Sequence, residues 1–398
     1  MKRALLTGNQ SAAEAMRLAR IRVLSAYPIT PQSPIVEELA EWVASGTFDA
    51  KYLRIESEHS AMSSVIGAQL TGVRAGTATS SVGLALMHEV LNVASGLRLP
   101  IVMPVVNRAL VAPWSLWCDH QDAMAERDSG WMQVFAENGQ EILDLMFIAY
   151  RAAEDTRVLL PCMVNLDGFF LSHMKEVVII PDQQEIDEFL PPYQASNLFL
   201  DPERPMFVNN LTGPADFTEM RYQQRVAFEQ AAEVLPEIMK EFEKRFGRAH
   251  YMVETYSCED AEAVVVTMGS MSGTAKYAVD QLRNRGQRVG AVKIVSFRPF
   301  PANIIRELLG NIPRVGIIDR SAGLGAETGP LSQEVRSALK GEIPEVLSFV
   351  AGLGGRDVPP ETFYRAFDVL QNAPARHEVT WLDVQDNAMS IREVTAPC

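Results

Sequence analysis

Four cysteines in 398 residues, Cys118, Cys162, Cys258 and Cys398, are too few and too far apart for a disulfide framework. None belongs to a Cys-x-x-Cys pair, so neither a zinc site nor an iron–sulfur cluster can be built from this chain's thiols alone. Basic charge is also short: 36 Lys and Arg stand against 50 Asp and Glu, a formal charge of −14. Such a field repels phosphate backbones and argues against nucleic-acid or anionic-membrane binding. No apolar run approaches the ~18 residues of a membrane span. The basic start Met1-Lys2-Arg3 turns polar by Thr7, too soon for a secretory signal. Together these absences point to a reducing cytoplasm.

Several familiar motifs are missing too. There is no P-loop. The glycines of Gly323-Leu324-Gly325-Ala326-Glu327-Thr328-Gly329 miss the dinucleotide spacing and fall late in the chain. Met271 stands where a nucleophile elbow needs serine, and Asn92 stands where a zinc-protease helix begun by His88-Glu89 needs its second histidine. The histidines show no ligand-like spacing, and no metal ligand is assigned.

What is present is alternation. Over residues 1–175, short apolar runs such as Arg22–Tyr27, Lys51–Ile55, Ala75–Thr79, Leu99–Val106 and Val158–Leu166 alternate with helical patterns at Ser33–Ser45, Ser60–Leu70, Gly83–Ser95 and Asn138–Ala153. That rhythm predicts a parallel sheet covered by helices on both faces. Residues 176–257 read as a proline-broken connector followed by a long charged helix, about Phe217 to Phe246, with a kink or break expected at Pro236. A second alternation fills residues 258–370, with strands at Ala263–Met268, Val289–Val295, Val315–Asp319 and Val346–Val350. Residues 371–398 read as a tail with few apolar anchors. The fold class is α/β, with two doubly wound parallel-sheet domains.

Ligands in such sheets bind outside the carboxyl ends of the strands. Five successive strand ends of the first domain are polar: Tyr27-Pro28-Ile29-Thr30-Pro31, Glu56-Ser57-Glu58-His59-Ser60, Thr79-Ser80-Ser81-Val82-Gly83, Asn107-Arg108 and Asn165-Leu166-Asp167-Gly168. Helix capping accounts for Ser33, Ser60 and Ser80. It accounts less well for Glu58 and Arg108, which are not cap residues and directly follow apolar backbone. Arg108 reads either as a carboxylate ligand or as the ion-pair partner of the Asp119–Asp122 loop.

The same segments, with Gly83-Leu84-Ala85-Leu86-Met87-His88-Glu89, Asp119-His120-Gln121-Asp122, Arg127-Asp128-Ser129-Gly130-Trp131 and Gly352-Leu353-Gly354-Gly355-Arg356-Asp357, resemble the alpha subunit of 2-oxoacid:ferredoxin oxidoreductases. The resemblance is nearest to the multi-subunit, pyruvate-acting members and runs in order along nearly the whole chain. It implies a thiamin-diphosphate pyrimidine-binding domain followed by a transketolase C-terminal-like domain. It also implies that Glu58 serves the aminopyrimidine of the cofactor, and that Thr30 and Arg108 hold the oxo and carboxylate oxygens of the substrate. Pro28, Ile29, Glu58, Ser81 and Val82 match cofactor-contacting positions. Glu56 is assigned to structure.

The family's Gly-Asp-Gly motif for diphosphate and Mg does not occur here, so that half of the site is expected on a diphosphate-binding beta-type subunit. Iron–sulfur clusters are expected on a ferredoxin-like delta-type subunit, beside a gamma-type subunit, with ferredoxin and coenzyme A as further partners. One arginine and one hydroxyl suit a monoanion. Pyruvate is therefore the expected substrate, ahead of a branched-chain 2-oxoacid or oxalate, and a non-catalytic scaffold is the contrasting reading. Two positions depart from the family: Val82 replaces a glutamine, and Cys118 replaces Gly or Asn, as either a passive small residue or a redox-sensitive thiol.

Overall fold

The computed structural model describes residues 1–339, 345–372 and 379–385. The chain forms two compact units. The first comprises Met1–Glu254 with Met268–Ser270 and Lys293–Pro301; the second comprises Thr255–Thr267, Met271–Val292 and the chain from Ala302 onward.

The elements of the first unit are, in order, β1 (Lys2–Thr7), α1 (Gly8–Leu18), β2 (Val23–Ala26), α2 (Ser33–Ala44), β3 (Lys51–Arg54), α3 (Glu58–Gln69), β4 (Ala75–Gly76), α4 (Ser81–Leu86), α5 (His88–Gly96), β5 (Val102–Asn107), α6 (Gln121–Ala125), β6 (Met132–Phe135), α7 (Gly139–Ala153), β7 (Cys162–Asp167), β8 (Lys175–Ile180), α8 (Gln183–Phe189) and α9 (Pro214–Phe246). Then follow β9 (Val253–Tyr256), β10 (Ala263–Met268), α10 (Met271–Arg283), β11 (Val289–Ile294), β12 (Ser296–Arg298), α11 (Ala302–Leu309), β13 (Arg314–Asp319), α12 (Pro330–Leu339), β14 (Glu345–Val350), α13 (Pro360–Asn372) and β15 (Thr380–Trp381).

Strands β3, β2 and β4 pair in parallel. A parallel bridge between Thr79 and Val105 carries the sheet on to β5, which pairs in parallel with β7 and through it with β6. Side-chain alternation along β5 explains why the whole strand is apolar. Val102 and Val106 enter one core with α1, α2, α7 and α9, while Met103 and Val105 enter a second core with α3, α4 and α5. Both faces are covered, as a parallel sheet requires. The second unit is built on a six-stranded sheet in the order β15-β14-β13-β10-β11-β9, on which α10 packs with α13 and α11 with α12.

Three features differ from the sequence reading. The stretch taken for a surface connector contains β8, which pairs antiparallel with β1 from Lys2↔Ile180 to Thr7↔Lys175, and helix α8. The half-exposed faces of β1 and β8 hid their apolar signal. Helix α9 runs through Pro236 as one element, so of the expected kink or break the break does not occur. Its buried Ala227, Ala231, Val234, Leu235, Ile238, Met239 and Phe242 pack along the α7 core, and that burial outweighs the ~3 kcal/mol cost of an internal proline. Of the expected tail, Thr380–Trp381 pairs with β14; residues 373–378 and 386–398 lie outside the described residues.

Candidate active site

The polar segments singled out from sequence converge because their strands end in register. Ala26 lies opposite Arg54 and Asn107 opposite Asp167, so the loops after β2, β3, β4, β5 and β7 share one edge.

Glu58 opens α3, whose cap is the Ser57 hydroxyl accepting from the Ser60 N–H at 3.2 Å. Glu58 is 6% exposed, and no hydrogen bond or ion pair reaches its carboxylate among the described residues. Two residues away, Glu56 is exposed and bonded to the Ser60 hydroxyl, which lowers its pKa. The wall facing Glu58 is Gly83 of α4. A Cβ there would lie 2.6 Å from Glu58 Oε1 and 2.7 Å from Thr79 Oγ1. The Thr79 and Ser80 hydroxyls are buried without hydrogen-bond partners among the described residues. A buried carboxylate and two buried hydroxyls without partners, against a wall that excludes side chains, fit a flat heterocycle bearing hydrogen-bonding nitrogens.

The loop that carries this wall is held from behind. Ser81 adopts φ +49°, a left-handed conformation unusual for a side-chain-bearing residue. Its N–H donates to Asp122 Oδ2 at 2.9 Å and its hydroxyl to the Ala109 carbonyl at 2.6 Å. The Ser81 N–H and hydroxyl are therefore both committed within the protein. Val82 is half-buried.

Arg108 is 4% exposed. Its Nε donates to the Ser115 carbonyl at 2.9 Å and its Nη1 to the Thr30 carbonyl at 2.8 Å, which brings Arg108 and Thr30 together. Burial lowers the guanidinium pKa, with nearby Asp122 opposing. The two readings of Arg108 left open by sequence thus separate: Asp122 takes the backbone N–H of Arg108 at 3.0 Å, while the guanidinium hydrogen bonds go to carbonyls. Thr30 is exposed. Pro28 and Ile29 lie on the same turn, whose Ile29 carbonyl accepts from the Gln32 and Ser33 N–H groups; none of these bonds reaches Glu58.

Thr79 and Gly83 fall within a polar strand end marked from sequence, and Asp122 within the loop paired there with Arg108, but sequence reasoning assigned none of the three an individual place in the site. A glycine in a helical run and an aspartate in a loop carry no periodic signal, and their roles depend on strands that meet only in the fold. Nearby, Asp167 accepts from His120 Nε2 at 2.7 Å and from the Ser270 N–H at 3.0 Å. Cys118 lies with this pair and is fully buried.

The first unit is thus a parallel α/β sheet, covered by helices on both faces, whose polar strand ends surround a buried glutamate. Residues 14–240 match the family model for the thiamine diphosphate-binding part of pyruvate flavodoxin/ferredoxin oxidoreductase, and residues 261–363 match pyruvate:ferredoxin oxidoreductase core domain II. The chain is 45% identical to pyruvate synthase subunit PorA of Pyrococcus abyssi, over 96% of this chain and 98% of that one. It is 49% identical to the PorA subunit of Thermotoga maritima, over 92% and 94%. It is also 46% identical to ketoisovalerate oxidoreductase subunit VorA of Pyrococcus horikoshii, over 89% of this chain and 90% of that one. Among solved structures, 2-oxoglutarate:ferredoxin oxidoreductase from Magnetococcus marinus superposes with a TM-score of 0.74 at 18% identity, covering 93% of this chain and 65% of that one. A split-gene transketolase superposes at 0.57. The chain belongs to the pyruvate flavodoxin/ferredoxin oxidoreductase family.

Proposed function

We propose that this chain is the alpha-type catalytic subunit of a thiamin-diphosphate-dependent 2-oxoacid:ferredoxin oxidoreductase that acts on pyruvate. The observation that carries this reading is Glu58, a buried carboxylate without a partner among the described residues, facing the bare wall at Gly83. Thiamin diphosphate bound against that wall supplies the electron sink for loss of CO2 from a 2-oxoacid. Glu58 holds or moves a proton at an aminopyrimidine nitrogen, a task that suits a carboxylate sheltered from water. Ser81, Val82 and Gly83 form the wall, and Pro28 and Ile29 form the neighbouring turn.

Arg108 receives the substrate carboxylate. Two of its five N–H groups hold the Ser115 and Thr30 carbonyls, leaving three for a bidentate grip. The exposed Thr30 hydroxyl supports the 2-oxo oxygen. One cation at this rim suits a monoanion such as pyruvate; the similarity to VorA favours a branched-chain 2-oxoacid as the second reading.

The reaction converts pyruvate and coenzyme A to acetyl-CoA and CO2, and two electrons leave one at a time for iron–sulfur clusters. This chain lacks a Gly-Asp-Gly motif and any Cys-x-x-Cys pair. A diphosphate- and Mg-binding beta-type subunit and a cluster-bearing delta-type subunit, with a gamma-type subunit, complete the enzyme, in the cytoplasm. Exposed Trp114 and Trp117 in the loop after Arg108, and Phe207 and Leu211 between α8 and α9, are apolar surface of the kind partner subunits cover. No helix among the described residues is long and apolar enough to cross a membrane.

The test is the assembled Glu58→Gln complex with thiamin diphosphate, coenzyme A and a low-potential acceptor. Turnover is expected to collapse; undiminished turnover refutes the assignment and leaves the scaffold reading. Wild-type rates with pyruvate, 2-oxoisovalerate and oxalate decide the substrate, and inactivity with pyruvate overturns that choice.

A further inference from the structure

Asp122 lies in α6, outside the residues assigned above to cofactor or substrate, and is 1% exposed. Its carboxylate gathers four donors. Oδ2 accepts from the Ser81 N–H at 2.9 Å and the Arg108 N–H at 3.0 Å, and Oδ1 from Asn107 Nδ2 at 3.0 Å and the Ala123 N–H at 2.8 Å. One oxygen therefore ties together the ends of two different strands. Through Ser81 it fixes the turn that leads to Gly83 and the Glu58 wall. Through Arg108 it fixes the backbone from which the guanidinium reaches toward Thr30.

The Ser81 end is the one that needs holding. A left-handed φ on a serine persists only where its surroundings over-determine it. The Ala109 carbonyl holds the hydroxyl, and Asp122 holds the N–H. Asn107 reinforces the arrangement by donating a second bond to Asn165 Oδ1 at 3.1 Å, which anchors it to β7.

We propose that Asp122 is a positioning residue that sets the spacing between the cofactor wall and the substrate arginine by holding both backbones on one carboxylate oxygen. The inference rests on the site reading given above. It separates Asp122 from an ordinary core residue, because its loss should loosen two ligand sites at once. Displacements of about 1 Å at such distances cost on the order of 100-fold in rate.

The experiment uses assembled complexes carrying Asp122→Asn, Asp122→Ala and Arg108→Ala. Each is assayed for kcat, for KM of pyruvate and for the thiamin diphosphate concentration giving half-maximal activity, together with Tm. Asp122→Asn keeps an oxygen for the Ser81 and Arg108 N–H groups but turns an amide donor toward Asn107 and the Ala123 N–H. It is expected to raise both constants together by about threefold to tenfold, and Asp122→Ala more steeply. Arg108→Ala is expected to raise only the pyruvate KM. A lowered Tm with both constants unchanged in Asp122→Asn overturns the inference, whether or not the alanine variant assembles. An unchanged pyruvate KM in Arg108→Ala overturns the site reading and this inference with it. A raised KM there beside unchanged constants in Asp122→Asn overturns this inference alone.

Discussion

Gly83→Ala separates the chemistry of the proposed site from the stability of its frame. The new Cβ would stand 2.6 Å from Glu58 Oε1, 2.9 Å from Glu58 Cγ and 2.7 Å from Thr79 Oγ1. Ordinary contact begins near 3.4 Å, so the carboxylate must retreat by about 0.8 Å. The Gly83 backbone itself is undemanding, since it lies inside α4 without a positive φ. Overpacking of this kind costs about 1–3 kcal/mol, offset by about 1 kcal/mol because alanine is the better helix former. The folded chain is therefore expected to lose at most about 2 kcal/mol. Displacing a proton-transferring carboxylate by close to 1 Å is expected to cost about 100-fold in rate, or about 2.7 kcal/mol of barrier. The assay is pyruvate- and coenzyme A-dependent reduction of a low-potential acceptor by the assembled complex at saturating thiamin diphosphate, beside thermal unfolding. Activity within threefold of wild type would refute the placement of Glu58 against this wall.

Further expectations concern the frame. Lys293 is 1% exposed and contacts Glu137, Glu141 and Glu254 at 2.8, 2.6 and 2.7 Å; Lys293→Met leaves three carboxylates facing a methyl group and should cost about 3–5 kcal/mol in denaturant unfolding at neutral pH, and an unchanged midpoint would contradict this. Burial alone would lower the Lys293 pKa, but Glu141, Glu137 and Glu254 together raise it above the 10.5 of a free lysine. Its contribution is thus complete below that value and disappears only as strongly alkaline pH titrates the folded form. Asp144 accepts from Arg248 Nε at 2.6 Å and Nη2 at 2.7 Å, and from His250 Nε2 at 3.1 Å; Asp144→Ala should cost about 3–5 kcal/mol, measured as a lower urea midpoint, and a midpoint equal to wild type would refute it. Burial pushes the Asp122 carboxyl from 3.8 up to about 6, against its hydrogen bonds from Arg108, Asn107 and Ser81. Because the folded value is the higher one, this group favours folding fully below pH 3.8, and that contribution, about 3 kcal/mol, is lost as pH rises through 6. Asp122→Asn should remove this window from the stability–pH curve, and a curve parallel to wild type would refute it.

Much of the architecture was legible because a doubly wound sheet writes itself as alternating apolar runs. Val102–Asn107 is apolar at nearly every position since both of its faces are buried. Glu58 and Arg108 stood out because each is a charged residue, not explained by helix capping, lying just past a strand's carboxyl end. The antiparallel pairing of β1 with β8 was hidden because its partners lie more than 160 residues apart in sequence and show only half of their faces to the core. Asp122 was hidden for another reason. Its four donors come from Ser81, Asn107, Arg108 and Ala123, and an aspartate in a one-turn helix looks the same in sequence whether it meets water or four N–H groups.

Strand β12 sets the order in which the molecule can be finished. It pairs antiparallel with β6, yet it is made after β10, α10 and β11. During synthesis, the outer edge of β6 stays open until residue 298 has emerged, well after the rest of its sheet is complete. A gene cut between α9 and β9 would yield a fragment with a bare, apolar strand edge, which is a template for aggregation. The two units are consequently not interchangeable cassettes: one passage of chain belongs to the later unit by position and to the earlier one by structure, so no single cut in the gene separates them.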